Sequence, residues 1–263
     1  MNATWKLVKY PLRDVVRSRW LVGYALFFGA LTYGLLRFSD SGAKAALSLV
    51  NVVLFVVPLV CIVFGTMYVY NAREFVELLL AQPVGRSQTF GGLYLGMALP
   101  LSGAFVTGLA VPFAAWGIDD TLSVGTVVSL GAIGVALTCI FLALALLIAV
   151  RTEDRVRGLG LAITFWLLTA VVYDGLVMLV ATAFADYPLE QPLLGMMLAN
   201  PVDLARVSLL LRFDAGAMMG YTGAVFERFF GSGAGTALSV GAMLAWLAAP
   251  LALGMRRFAR KDF

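Results

Sequence analysis

The chain contains no histidine among its 263 residues. That excludes histidine-ligated haem, zinc proteolysis of the His-Glu-x-x-His kind and any histidine-based triad. Cysteine is nearly as scarce. Cys61 and Cys139 both fall inside apolar runs, where they read as small buried residues rather than a disulfide and say nothing about redox compartment. Charge is thin too: charged residues make up 13 % of the chain, where a soluble domain carries roughly a quarter. No stretch fits G-x-x-x-x-G-K-[ST], so a P-loop nucleotide site is missing from this sequence. Nor is there an evident internal repeat.

Apolar sequence fills the space. Hydrophobic residues reach 61 % and the mean hydropathy is +0.92, which places the chain among polytopic membrane proteins. A pI near 9.2 would suit nucleic acid, but the basic residues sit beside apolar runs, where membrane orientation explains them better. Residues 3–19 do not read as a signal peptide, because charges run through the segment instead of preceding an apolar part. Trp5, Val8, Leu12 and Val15 form one helical stripe, with Lys6, Lys9, Arg13 and Arg17 opposite. This predicts an interfacial amphipathic helix, bent at Pro11, whose cations suit anionic headgroups. Six spans follow, at about 20–36, 46–70, 89–116, 122–150, 158–185 and 236–255. An even number puts both termini on one side. Fourteen of the 19 basic residues fall on that side, so the positive-inside rule makes it the cytoplasm.

Between the second and third spans lies NAREFVELLLAQPVGR, residues 71–86. It predicts a short helix with Arg73 and Glu77 four apart on a polar side, Glu74 beside them, and Phe75, Val76, Leu79 and Leu80 over the rest. Gln82 and Pro83 stop it, because proline lacks the amide hydrogen and restricts its predecessor. The pattern suits a helix lying along a membrane or under a partner, and equally a soluble connection. Between the fifth and sixth spans, residues 186–233 are too apolar for a disordered loop. Asn200-Pro201-Val202-Asp203 reads as an N-cap, a proline at the first helical position and an acid in the first turn. The helix it starts should run to about residue 211 with Leu204, Val207, Ser208 and Leu211 on one side. Another short helix is expected near 222–230. These pieces read as short external helices over the outer mouth, some dipping into the bilayer.

Two of these stretches carry a family resemblance. Residues 71–86 resemble the cytoplasmic coupling helix of ABC-2-type permeases, which often reads R-E-x-x-x-E-x-L-L-x-x-P-V-x-R. Arg73, Glu74, Leu79, Pro83, Val84 and Arg86 fit, while the second acid is Glu77 rather than one residue later. Residues 200–231 are similar to the external region of the NosY-type permeases of transporters required to mature nitrous oxide reductase. The features are Asn200-Pro201-x-Asp203-x-x-Arg206, Met219-Gly220-Tyr221-Thr222-Gly223-Ala224, Phe226-x-Arg228 and the tail Lys261-Asp262-Phe263. The resemblance implies one permease domain over 1–263 in a bacterial inner membrane, non-catalytic and holding no cofactor or metal of its own. Its implied partners are a second copy, two ATPase subunits that bind ATP and Mg, and a periplasmic β-helical copper-handling protein, with the reductase's copper–sulfur centre as the beneficiary. It implies coupling to the ATPase through Arg73, Glu74, Phe75, Glu77, Leu78 and Arg86.

Other candidate sites rest on the residues. Asp174 is the only carboxylate well inside a span. Either it lines a path or pairs with Arg206, Arg212 or Arg228, or the fifth span ends early and leaves it among headgroups. Arg206, Arg212, Met218, Met219, Tyr221 and Arg228 are expected either to dock the periplasmic partner or to pack as a lid. Met196-Met197 and Met218-Met219 invite a Cu(I) reading, but adjacent methionines do not share a helix face and are common fillers at membrane interfaces. The arginines at 151–157 and in the tail read as orientation determinants or ATPase contacts. Two rivals from other classes are an ion-coupled secondary transporter and an intramembrane enzyme. The first usually shows a repeat with buried ions in broken helices, the second an acid–base pair.

Overall fold

A computed structural model describes residues 3–81, 84–116, 122–184, 190–210 and 233–260, which are helical apart from their connections. The helices are α1 (Ala3–Arg17), α2 (Arg19–Phe38), α3 (Gly42–Asn71), α4 (Arg73–Leu80), α5 (Arg86–Trp116), α6 (Val124–Arg151), α7 (Arg155–Leu167), α8 (Tyr173–Ala183), α9 (Glu190–Leu198), α10 (Pro201–Leu210) and α11 (Gly233–Arg260). A π-helical turn, Leu168–Val172, joins α7 to α8. Among the described residues six helices are long and apolar enough to cross a bilayer: α2, α3, α5, α6, the continuous α7–α8 helix and α11. The all-α, six-span architecture expected from the apolar runs is what forms.

The helix ends depart from the apolar windows where capping residues fix the first turn. Ser41 Oγ accepts the Lys44 N–H at 3.4 Å and starts α3 at Gly42, before the apolar run opens. Asp154 Oδ1 accepts the Arg157 N–H at 2.8 Å and starts α7 at Arg155, so the fifth span begins three residues earlier than expected. Ser123 Oγ takes the Thr126 N–H at 3.1 Å and delays α6 to Val124. Each cap satisfies a donor that the first helical turn leaves open.

Lipid is as apolar as leucine, so helices here associate through close packing rather than hydrophobic transfer. Small residues set the approach. A Cβ on Gly108 of α5 would lie 2.6 Å from the Ala25 carbonyl oxygen of α2, so the two backbones touch there. Beside that contact the fully buried rings of Phe28 and Phe105 meet edge to face, 5.0 Å between centroids. The α3–α6 crossing is likewise built on small residues, with Gly65 against Leu142 and Ala145.

The two ends of the bundle differ. One gathers α1, α4, the α6–α7 turn and the end of α11: Tyr10 stacks on Phe75, Tyr70 reaches Thr152, and Arg86 reaches the Ala259 carbonyl. At the other, α9 and α10 form a hairpin bent by 113°. Its bend is held by side chains on the C-terminal carbonyls of α9. Tyr173 OH donates to the Met196 oxygen at 2.7 Å and Trp246 Nε1 to the Leu198 oxygen at 3.2 Å. Sequence spacing predicts a one-sided stripe on α10, yet seven of its ten residues are buried. The reason is placement: α10 is inserted against α3, α6 and α11 instead of lying over them. The expected helix at 222–230 falls outside the described residues.

Candidate functional site

The first candidate is α4 with its supports. Eight residues are too few for a stable isolated helix, which needs about 12–15, so α4 depends on what it touches. Val76 is buried in the main core, and the Phe75 ring lies on Tyr10 of α1 at 4.3 Å and 19° between planes. Arg73 Nη1 donates to the Glu153 carbonyl at 3.4 Å, bridging to the α6–α7 turn. The Arg73–Glu77 ion pair, at 3.4 Å, is half exposed and worth only about 0.3–0.5 kcal/mol. Packing therefore holds α4, and the ion pair orients its polar edge. Glu74, Glu77 and Leu78 are left outward, Leu78 69 % exposed. Arg86 opens α5 and donates to the Ala259 carbonyl of α11 at 2.9 Å. The structure thus brings five of the coupling candidates onto one short helix and fixes Arg86 as a tie to the last span.

Beneath α4 sits a junction that sequence reading missed. Tyr70, the penultimate residue of α3, donates to Thr152 Oγ1 at 3.0 Å, with the Thr152 carbonyl also within reach at 3.1 Å. Its hydroxyl occupies the space over Gly158 of α7, where a Cβ would lie 1.9 Å from it. Only glycine permits that approach. Gly158→Ala must displace Tyr70 and break both contacts, costing about 1–3 kcal/mol by overpacking. Tyr70→Phe removes the hydrogen bond alone, about 1 kcal/mol. Thermal unfolding in detergent should therefore rank Gly158→Ala below Tyr70→Phe, and the reverse order would remove the junction from the account.

The second candidate lies toward the other end. A groove of about 500 Å³ opens between α3, the π-turn and α10, lined by Asn51, Phe55, Val171, Asp174, Val202 and Arg206 among others. The π-turn builds it. Tyr173 N–H donates to the Leu168 carbonyl, one residue further back than in an α-helix. The Thr169 carbonyl thus loses its usual partner, and Asn200 Nδ2 takes it at 2.7 Å. The same Asn200 accepts the Val202 N–H at 3.0 Å as the expected N-cap and holds Asp203 at 3.0 Å. Arg206 Nη1 bridges Asp174 at 2.5 Å and Asp203 at 3.6 Å. Asp203 itself is buried, so the Arg206 charge and the Asn200 amide are its compensation.

Asp174 is therefore paired, and its partner is Arg206, one of the three arginines the sequence offered. Arg206 faces the carboxylates of Asp174 and Asp203. Arg212, Met218, Met219, Tyr221 and Arg228 lie outside the described residues. Met197 packs with Leu193, Leu204 and Val207 in an apolar cluster between α9 and α10. Cys61 and Cys139 are both free.

Comparison with known proteins gives the geometry its context. Residues 5–263 match the family model described as ABC-2 family transporter protein. A Pseudomonas aeruginosa protein described as "Probable ABC transporter permease protein NosY" is 30 % identical over 239 residues, 84 % of this chain and 86 % of that one. A Stutzerimonas stutzeri protein of the same description is 28 % identical over the same shares.

Proposed function

Since the chain belongs to the ABC-2 family of transporter proteins, as a NosY-like, multi-pass ABC transporter permease, we propose that α4 couples an ATPase to the bundle. The single observation that carries this is an outward edge with two acids, Glu74 and Glu77, and the exposed Leu78, on a helix too short to stand alone and pinned to α1, α3 and the α6–α7 turn. A push on α4 reaches α3 and α7 through Arg73 and the Tyr70–Thr152 junction rather than dissipating in a loop. The permease holds no nucleotide; ATP and Mg bind to the separate subunit, and this chain is non-catalytic. Two copies form the working unit with two ATPase subunits. The groove at Asp174, Arg206 and Asn51 faces the shared path, because a half-exposed carboxylate at membrane depth is costly against acyl chains.

The machine's task, in this reading, is maturation of the copper–sulfur centre of nitrous oxide reductase, with a periplasmic β-helical copper-handling partner. That partner docks on the stretch after α10, which carries Arg212, Met218, Met219, Tyr221 and Arg228. The support is the NosY likeness together with the sequence signature at 200–231. The chain sits as one domain in a bacterial inner membrane with both termini and α4 in the cytoplasm. A reporter active only in the periplasm should work when inserted near Asp120 or Ser232 and stay silent at Arg86 or Asp154. Activity at Arg86 would invert the orientation and remove the coupling argument. Affinity purification in detergent tests the assembly: an ATPase and a periplasmic protein should accompany the tagged chain.

A further inference from the structure

The outward side of α1 is not used by the coupling reading. Val8, Pro11 and Val15 are buried, Pro11 directly against Gly96 of α5, so the inner face of α1 is committed to the bundle. Lys9, Arg13 and Arg17 stand one turn apart on the outside, all exposed, and Arg19 follows. Among the described residues none of the four has a carboxylate within 4.0 Å. The one acid of α1, Asp14, stands beside Tyr68 of α3 instead. Interleaved with the cations are Val16, 49 % exposed, and Trp20, 81 % exposed. The surface then continues into the apolar outward residues Leu26 and Phe27 of the first span.

Unneutralised cations that merge with an apolar span through an exposed tryptophan match the headgroup layer of a bilayer. An acidic protein surface would satisfy the cations but would not account for Val16 and Trp20, which lead into the apolar face of the first span. On its other flank α1 presents Tyr10, whose ring stacks on Phe75 of α4 while remaining 57 % exposed. Among the described residues little else joins the two helices, so a shift of α1 passes to α4 through this stack.

We propose that Lys9, Arg13 and Arg17, with Trp20, bind the phosphates of anionic phospholipid headgroups, and that the Tyr10–Phe75 stack lets this occupancy set the position of α4. The lipid site stands on its own, whereas its regulatory meaning rests on α4 being the coupling element.

The test uses the full chain in nanodiscs of pure phosphatidylcholine or of phosphatidylcholine mixed with phosphatidylglycerol, so it needs no ATPase. Spin-labelled phosphatidylglycerol and phosphatidylcholine report lipid preference. A second label, on Leu78→Cys in a Cys61→Ala/Cys139→Ala background, reports α4. The unmutated stripe should prefer phosphatidylglycerol, and each cation neutralised should lower that preference by up to about fivefold. The Leu78 label should lose mobility as phosphatidylglycerol is added. Lys9→Gln/Arg13→Gln/Arg17→Gln should abolish both effects, while Tyr10→Ala should keep the lipid preference and lose the Leu78 response. An undiminished preference in the triple variant overturns the lipid site, and doubly so if that variant loses ATPase capture instead. A normal Leu78 response in Tyr10→Ala overturns the link to α4.

Discussion

A Glu77→Arg chain is expected to insert and fold normally yet lose its ATPase, with affinity in detergent falling by about thirtyfold or more. The magnitude follows from where Glu77 sits. Its carboxylate is half exposed and held by Arg73 four residues earlier, so reversal puts two like charges at that spacing. That costs the helix only a few tenths of a kcal/mol, about the size of the pair it replaces. Packing of Val76 and Phe75 supplies the rest of the support and is untouched. A loss much larger than that must be read on the partner's side. Glu77→Gln separates the two effects, because it removes the attraction without adding repulsion and should fall between wild type and Glu77→Arg. The check is titration of purified ATPase onto the detergent-purified permease, with thermal unfolding of each variant alongside.

The second large effect is expected at Arg206. This arginine serves two carboxylates, Asp174 and Asp203, and the Asp203 side chain is only 4 % exposed. Arg206→Met removes the compensating charge and leaves Asp203 with the Asn200 amide alone. Leaving a buried carboxylate without its partner costs on the order of 3 kcal/mol. Asp174→Asn should cost far less, about 1 kcal/mol or below, because that carboxylate is half exposed. Adding Asp174→Asn to Arg206→Met should restore part of the loss. Thermal unfolding of the three variants in one detergent decides this, and equal melting of Arg206→Met and wild type would dissolve the network. Because Asn200 also holds the carbonyl that the π-turn frees, Asn200→Ala should loosen both α8 and α10.

Much of this was legible in the sequence because membrane helices announce themselves by length and apolarity. All six spans were, and so were the N-cap at Asn200 and the i,i+4 partners Arg73 and Glu77. Helix ends were less so, although their signals were present: Ser41 and Asp154 are cap residues that an apolar count passes over. What could not be read were partnerships across long sequence distances. Nothing near residue 168 indicates a π-turn, since its open carbonyl is answered by a residue 31 positions later. The Tyr10–Phe75 stack and the Tyr70–Thr152 hydrogen bond likewise join residues far apart in the chain. Burial of α10 was hidden for a related reason. Its own spacing suggests a surface helix, and only the gap between α3, α6 and α11 turns most of its sides inward.

The most direct test of the central claim is site-specific photocross-linking from position 78, with the permease co-expressed beside its ATPase. Leu78 is the most outward apolar residue of α4, and Phe38, 88 % exposed at the far end of α2, is the matched control. Coupling through α4 predicts a permease–ATPase adduct from position 78 that changes in yield between nucleotide-free and ATP-bound states, and none from position 38. Adducts to the ATPase from position 38, or only lipid adducts from position 78 in every nucleotide state, would contradict it.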